Sequence, residues 1–252
     1  MCQNVVVENC VGRSSASGLK FGTVSRGGFR NFKVKNIKIY DTYRSAITFA
    51  AVDGALIENI EVDGVRSIHT GNVIYLRIGD RWSAGKKPIM KNITIKNVYA
   101  KIPMDKPDAG YNYEGPIEDL PRNISPASIV GLPEYKIQNV TLRNIEIVSP
   151  GGGNPYYAYR GLTPAELDSI PEMATSYPEF SQFKELPAWG FYIRHAEGIT
   201  FDNVTFKALK KDYRPAIVMD DAGEVTFKDV RFIEPEGEGK KQIFPYKSKV
   251  IK

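Results

Sequence analysis

Two rows of side chains carry most of the chemistry this sequence can offer. The segments 18–22, 46–50, 74–78, 190–194 and 216–220 share one strand-like pattern, each followed by a turn. Aligned on those turns, they place Lys20, Thr48, Tyr75, Tyr192 and Val218 in one outward row. Gly22, Ala50, Arg77, Arg194 and Asp220 form the next. Rows of Lys, Arg and Tyr suit a ligand with regularly spaced carboxylates: Arg forks a carboxylate with two parallel N–H bonds, and Tyr offers a sugar both a ring and a hydroxyl. Arg44 and Arg81 lie beside the rows and extend the set. The expected partner is an acidic polysaccharide or oligosaccharide.

Few groups stand out as acids, bases or nucleophiles. His195 ends one of the strands, next to the outward row, and Asp53 sits in a turn after another. Both are candidates for catalysis against the plainer reading of a strand-end histidine and a turn-forming aspartate. Asp80 reads as a second turn former and His69 as an incidental turn residue. Asp220 and Asp221 are adjacent, so in a strand their carboxylates face opposite ways. No His-x-Glu, Cys-x-x-Cys, phosphate-loop or EF-hand spacing occurs, so no metal and no cofactor is implied.

The elements that must position these residues are set by a second, recurring phrase. Asn31-Phe-Lys-Val-Lys-Asn-Ile37 alternates as a strand does, slips by one residue at Asn36 and then resumes. A slip would turn every later side chain to the other face unless the chain rounds a corner there. Asn suits such a corner because it tolerates left-handed backbone angles. Copies begin at Asn4, Asn59, Asn92, Asn139, Gly198 and Glu224, so successive first positions differ by 27, 28, 33, 47, 59 and 26 residues. Repetition on this scale indicates an array. With the other strand type in between, each repeat holds about three strands, which predicts an all-β parallel β-helix, a solenoid with long loop insertions. Leucine-rich repeats would need Leu spacing and a return segment, and a propeller blade needs four strands in about 40 residues.

Residues 1–252 read as one domain interrupted by insertions at 101–136 and 149–188. Thr163-Pro-Ala-Glu166 predicts a short helix over 164–170. Four Asn-x-Ser/Thr sequons begin at Asn92, Asn123, Asn139 and Asn203, three of them produced by the repeat phrase itself. Cys2 and Cys10 make no disulfide framework, and Cys10 falls on an inward position, so a buried thiol is expected. The composition includes 34 basic and 29 acidic residues, a net charge of +5 too small to point to nucleic acid. No apolar run reaches membrane-spanning length. Met1 leads directly into a repeat strand, so the sequence reads as the C-terminal part of a longer protein, without a signal peptide on this chain.

A set of local motifs resembles glycoside hydrolase family 28, the polygalacturonase family. They are Ser17-Gly-Leu-Lys-Phe-Gly-Thr23 with Gly27-Gly-Phe-Arg-Asn31, Tyr43-Arg-Ser-Ala-Ile47 with Val52-Asp-Gly54, and Arg77-Ile-Gly-Asp-Arg81. Ser149-Pro-Gly-Gly-Gly153, Tyr177-Pro-Glu-Phe180 with Pro187-Ala-Trp-Gly-Phe191, Arg194-His195, and Asp212-Tyr-Arg-Pro-Ala216 with Asp220-Asp221 complete the set. The resemblance implies a right-handed parallel β-helix and inverting hydrolysis of galacturonate-type linkages in pectin. It also implies a periplasmic or extracellular monomer, with Lys20, Arg44, Arg77, Arg81 and Arg194 on uronate carboxylates. Inversion needs two carboxyl groups about 6.5–9.5 Å apart. In the family they come from Asn-Thr-Asp and Gly-Asp-Asp stretches, and neither stretch occurs here. The family's Gly-His-Gly aligns with Ala16-Ser17-Gly18, and its Arg-Ile-Lys with Thr48-Phe49-Ala50. The competing expectations are a non-catalytic carbohydrate-binding or scaffold protein and, third, a polysaccharide lyase.

Overall fold

The computed structural model describes residues 1–105 and 123–251. The central part of the 101–136 insertion, residues 106–122, lies outside the described residues. The strands are β1 (Cys2–Arg13), β2 (Leu19–Phe21), β3 (Phe29–Ala51), β4 (Leu56–Ile78), β5 (Ile89–Lys101), β6 (Ala127–Val130) and β7 (Ile137–Gly151). They continue with β8 (Phe191–Lys210), β9 (Ile217–Lys228), β10 (Arg231–Ile233), β11 (Ile243–Tyr246) and β12 (Val250–Ile251). The helix α1 spans Pro164–Asp168 and opens with a capping box between Thr163 and Glu166.

The repeat phrases pair with one another in parallel and in register. Phe32 faces Ile60, and Ile60 faces Ile93. The slips are corners, and each phrase has two. Asn31, Asn59, Asn92 and Asn139 hold φ of 57, 57, 57 and 55°, and Asn36, Asn97, Asn144 and Asn203 hold 51, 56, 53 and 54°. At each corner the Asn amide donates to its counterpart on the preceding strand: Asn31 to Asn4 at 2.9 Å, Asn59 to Asn31 at 3.1 Å, Asn92 to Asn59 at 3.1 Å. Gly64, at φ 82°, takes one corner of the second row, and Asp63 beside it accepts from Asn97 at 2.7 Å. Asn144 and Asn203 continue that row. Three of the sequons therefore begin on ladder residues.

Because the backbone ladder passes through these corners unbroken, β3 and β4 each run 23 residues. They are not divided into three short strands. The connections differ from expectation as well. The insertion after β5 severs that strand from β6, and β6 pairs with β4 on one side and β8 on the other. The pairing closes a ring of five parallel strands, β4–β5–β7–β8–β6 and back to β4, with the remaining strands bonded outside it. This closed barrel overturns the expected right-handed β-helix solenoid. Slip and alternation specify which residues stack, but not how the chain closes.

The core is the set of inward columns, Val34, Val62, Ile95 and Leu142 among them, all essentially without exposure. Phe21, Phe32 and Phe49 meet edge to face at the β2 end, and Phe191, Phe201 and Phe206 at the other. Cys10 sits in an inward column opposite Ile37 but is exposed, contrary to expectation. Among the described strands, β1 pairs only with β3, so none of them covers the column beyond it.

Candidate functional site

Strand pairing stacks the two outward rows as the turns suggest. Lys20 faces Thr48, Thr48 faces Tyr75, and Tyr192 faces Val218; Ala50 faces Arg77, and Arg194 faces Asp220. Ser128 of β6 fills the gap between Tyr75 and Tyr192, and Val130 the gap between Arg77 and Arg194. β6 has no sequence signal of its own, because it is four residues long and lies inside the 101–136 insertion.

Most of this face is closed. The second insertion lays Leu167, Ile170, Phe180, Phe183 and Leu186 over Tyr75, Val130, Tyr192 and Val218, forming a second apolar core. Thr48, Tyr75, Arg77, Tyr192, Arg194 and Asp220 are all buried, which corrects their assignment to an open binding face. Their polar atoms tie the insertion down. Arg77 donates to the Gly131 carbonyl at 3.1 Å and to the Glu172 carbonyl. Arg194 donates to the Ile170 carbonyl at 2.5 Å and pairs with Glu172 at 2.7 Å and Asp220 at 3.1 Å. Burial pushes the Tyr75 and Tyr192 phenols well above the ordinary range. Burial also raises the Asp220 carboxyl, against the pull of Arg194. The insertion's apolar residues have no regular spacing, so sequence pattern does not show which sheet face they cover.

The two histidines are corner residues. His195 holds φ 49° and is 6% exposed. Its Nδ1 meets Asp221 at 2.7 Å on the neighbouring strand, and its Nε2 meets Glu172 at 3.1 Å. This is the Asn ladder in other side chains, and it places His195 in the frame. His69 repeats the arrangement at φ 60°, with Nδ1 at 2.7 Å from Asp41 and Nε2 at 3.2 Å from Asp105. Partial burial alone would lower the His69 pKa, but the bonds from Asp41 and Asp105 raise it.

One part of the expected set does come together at the surface. Lys20, Arg44 and Arg81 converge on Tyr177, at the edge of the insertion. Lys20 Nζ donates to the Tyr177 hydroxyl at 2.9 Å, and Thr23 Oγ1 donates at 3.3 Å. The cationic centres of Lys20, Arg44 and Arg81 lie 5.0, 5.1 and 5.6 Å from the Tyr177 ring centroid, within cation–π range. Arg81 also lies over Trp82 at 3.8 Å. Tyr177 and Trp82 are 38% and 55% exposed, whereas the Arg44 and Arg81 side chains are 13% and 9% exposed. Burial would raise the Tyr177 phenol, but hydrogen bonds from Lys20, Thr23 and Arg44 outweigh it and bring it down to about 8.

Both carboxylates of the cluster are held by arginines. Asp53 is fully buried and takes Arg81 Nε at 3.1 Å and Nη2 at 2.8 Å, and Arg44 pairs with Glu179. Asp53 thus serves to aim Arg81. Tyr177, Glu179 and Trp82 are site residues that the row pattern misses. Tyr177-Pro-Glu179 in an aromatic-rich insertion is the available signal, but it carries no register with any strand.

A groove of about 890 Å³ opens on another side, lined by Lys35, Lys38, Arg66, Tyr99 and the second row of corner residues. Its corner amides are bonded strand to strand and Arg66 covers Tyr99 at 4.9 Å, so the Tyr177 cluster is the stronger site. Among the described residues no group of three His, Cys, Asp or Glu could hold a metal ion, and no helix is long and apolar enough to cross a membrane. Comparison of the chain with family models, with curated proteins and with solved structures returns no match.

Proposed function

We propose that this chain recognises an acidic saccharide of the pectic type at the Tyr177 cluster, and that it serves a polygalacturonase-like glycosidase reaction. The observation that carries the reading is the convergence of Lys20, Arg44 and Arg81 on the partly exposed Tyr177 ring, with Trp82 against Arg81. A uronate presents a carboxylate and an apolar ring face together. Cations beside exposed aromatic rings match both features at once. Desolvation at the rim strengthens the charge pairing, and the bound Asp53 keeps Arg81 in place without a search of rotamers. The motif resemblance to family 28 supplies the reaction class, inverting hydrolysis between two carboxyl groups.

A second reading is favoured by a specific observation. Asp53 and Glu179 are both held in ion pairs with arginines, so neither carboxylate faces a ligand unpaired. A non-catalytic carbohydrate-binding chain would need nothing more than this. The experiment that separates the two is a reducing-sugar assay on polygalacturonate run beside a binding titration with oligogalacturonate. Release of sugar supports the hydrolase. Binding without release supports the second reading. Neither binding nor release removes both.

A further inference from the structure

We infer that the second row of corners holds a binding site for one acidic sugar residue, at a notch left by Gly64. Asn9, Asn36, Asn97, Asn144 and Asn203 fill this row around it, all with left-handed backbone angles. Asn144 donates to Asn97 at 3.1 Å and Asn203 to Asn144 at 3.0 Å. Asn97 turns to Asp63 instead, because Gly64 has no side chain to receive it. Asn36 donates down the row to Asn9 at 2.6 Å, and no described residue donates to its carbonyl oxygen. That oxygen faces the notch. A Cβ placed at Gly64 would meet nothing nearer than the Asn36 backbone nitrogen at 3.5 Å, so the space is open. Gly198 interrupts the first row in the same way, but there a Cβ would lie 2.7 Å from Asn139 Oδ1, so the gap is already filled.

Positive charge gathers at this notch. It opens into the groove of about 890 Å³, where three exposed cations stand around it: Lys35, Lys38 and Arg66. Lys38 faces Arg66 on the neighbouring strand, and Lys35 faces Asp63. Asp63 is taken up by Lys96 at 3.4 Å and by Asn97, so among the described residues Lys35, Lys38 and Arg66 form no ion pair. Arg66 stacks on Tyr99 at 4.9 Å, which holds its guanidinium against the groove wall. Arg44 and Arg81 of the Tyr177 cluster, by contrast, are each paired with a carboxylate. Unpaired cations call for an anion, and the Asn36 oxygen calls for a hydroxyl donor beside it. An acidic sugar carries both on one ring; its choice over other anions rests on the reading of the Tyr177 cluster. The charge is also local. Arg66 faces Tyr99, and Tyr99 faces the exposed Glu146, which repels a second carboxylate further along the groove.

The test follows the Gly64 backbone N–H and the Asn36 side-chain amide by NMR in the intact labelled chain as galacturonate is added. Galactose, which lacks only the carboxylate, and inorganic phosphate are the controls. The expected result is a saturable shift of both signals with galacturonate, none with galactose, and binding of phosphate weaker by about tenfold. Gly64→Asn places the row's own residue in the notch, at a φ of 82° that Asn tolerates. It should abolish the Asn36 shift, with an unchanged far-ultraviolet circular dichroism spectrum and an unchanged response of the Tyr177 phenolate to oligogalacturonate. Lys38→Gln leaves the notch open and should weaken galacturonate binding by about tenfold. A notch shift without a Tyr177 response would support this site and remove the Tyr177 one. No shift at Gly64 and Asn36, a shift that survives Gly64→Asn, or equal shifts with galactose or phosphate would overturn the inference, whatever Tyr177 does.

Discussion

Lys20 and Tyr177 stand 157 positions apart in the chain, and the lysine ammonium donates to the phenol oxygen at 2.9 Å. This contact joins the β2 strand to the edge of the second insertion. It makes Tyr177 the reporter of the whole cluster, because its ionisation registers every charge placed there.

The first prediction concerns that ionisation. Tyr177 should titrate near 8, about two units below an ordinary tyrosine. Absorbance near 295 nm should show one phenol ionising there. Tyr177→Phe should abolish the transition, and Lys20→Ala should move it upward. The sign for stability follows. A phenol with a depressed folded pKa adds stability that is full above about pH 10 and is lost as pH falls through about 8.

Ligand binding should have the opposite dependence. Phenolate formation neutralises Lys20 and repels a carboxylate, so uronate affinity should fall as pH rises through about 8. It should also fall with added salt, because the site is at the surface. Calorimetric titrations about 1.5 pH units to either side of that value check this; equal affinities would argue against the site.

The corner ladder makes a prediction about Asn97. Asn97→Gly keeps the left-handed backbone angle and loses only the amide bonds, at about 1 kcal/mol. Asn97→Ala loses them too but keeps a Cβ at that angle without the Asn amide's local bonds, which sets it roughly 1–2 kcal/mol below the Gly variant. Denaturant unfolding of the two variants should rank Gly above Ala, and the reverse order would remove the corner role.

Arg194 should be structural in its effects. It is buried between Asp220 and Glu172. Arg194→Ala leaves Asp220 buried without its counterion, which costs about 3–5 kcal/mol. The loss should appear as detachment of the insertion, read by proteolysis within 152–188. Unchanged protease resistance would contradict the anchoring role.

His69 should titrate above 6.5, because the bonds from Asp41 and Asp105 outweigh its partial burial. A raised histidine adds stability that is full below its unfolded pKa and lost as pH rises through the folded one. Proton NMR of the imidazole in the parent and in Asp41→Asn checks it: the pKa should drop in the variant.

How much of this can be read from the residues differs from one part to another. The register is legible, because Asn at positions five apart with apolar residues between them specifies which side chains stack. Lys20, Thr48 and Tyr75 are paired as their turns imply. The closure of the sheet through β6 is not, since a solenoid and the five-strand ring share one local pattern, and a four-residue strand has no periodicity of its own. Burial of Tyr75, Arg77, Tyr192 and Arg194 is not legible either. It depends on where Phe180, Phe183 and Leu186 land, and these sit in a segment with no strand or helix period. Cys10 shows the limit from the other side: its pattern position is inward as expected, and its exposure follows from a missing neighbour.

The most direct test adds oligogalacturonate to the chain near the Tyr177 pKa of about 8 and follows the phenolate by its absorbance near 295 nm. A carboxylate bound beside Lys20 must push the phenol back toward its neutral form. Uronate recognition at this cluster predicts a saturable loss of absorbance, absent in Tyr177→Phe and absent with a neutral galactan. No change on adding oligogalacturonate, or an equal change with the neutral polymer, would contradict it.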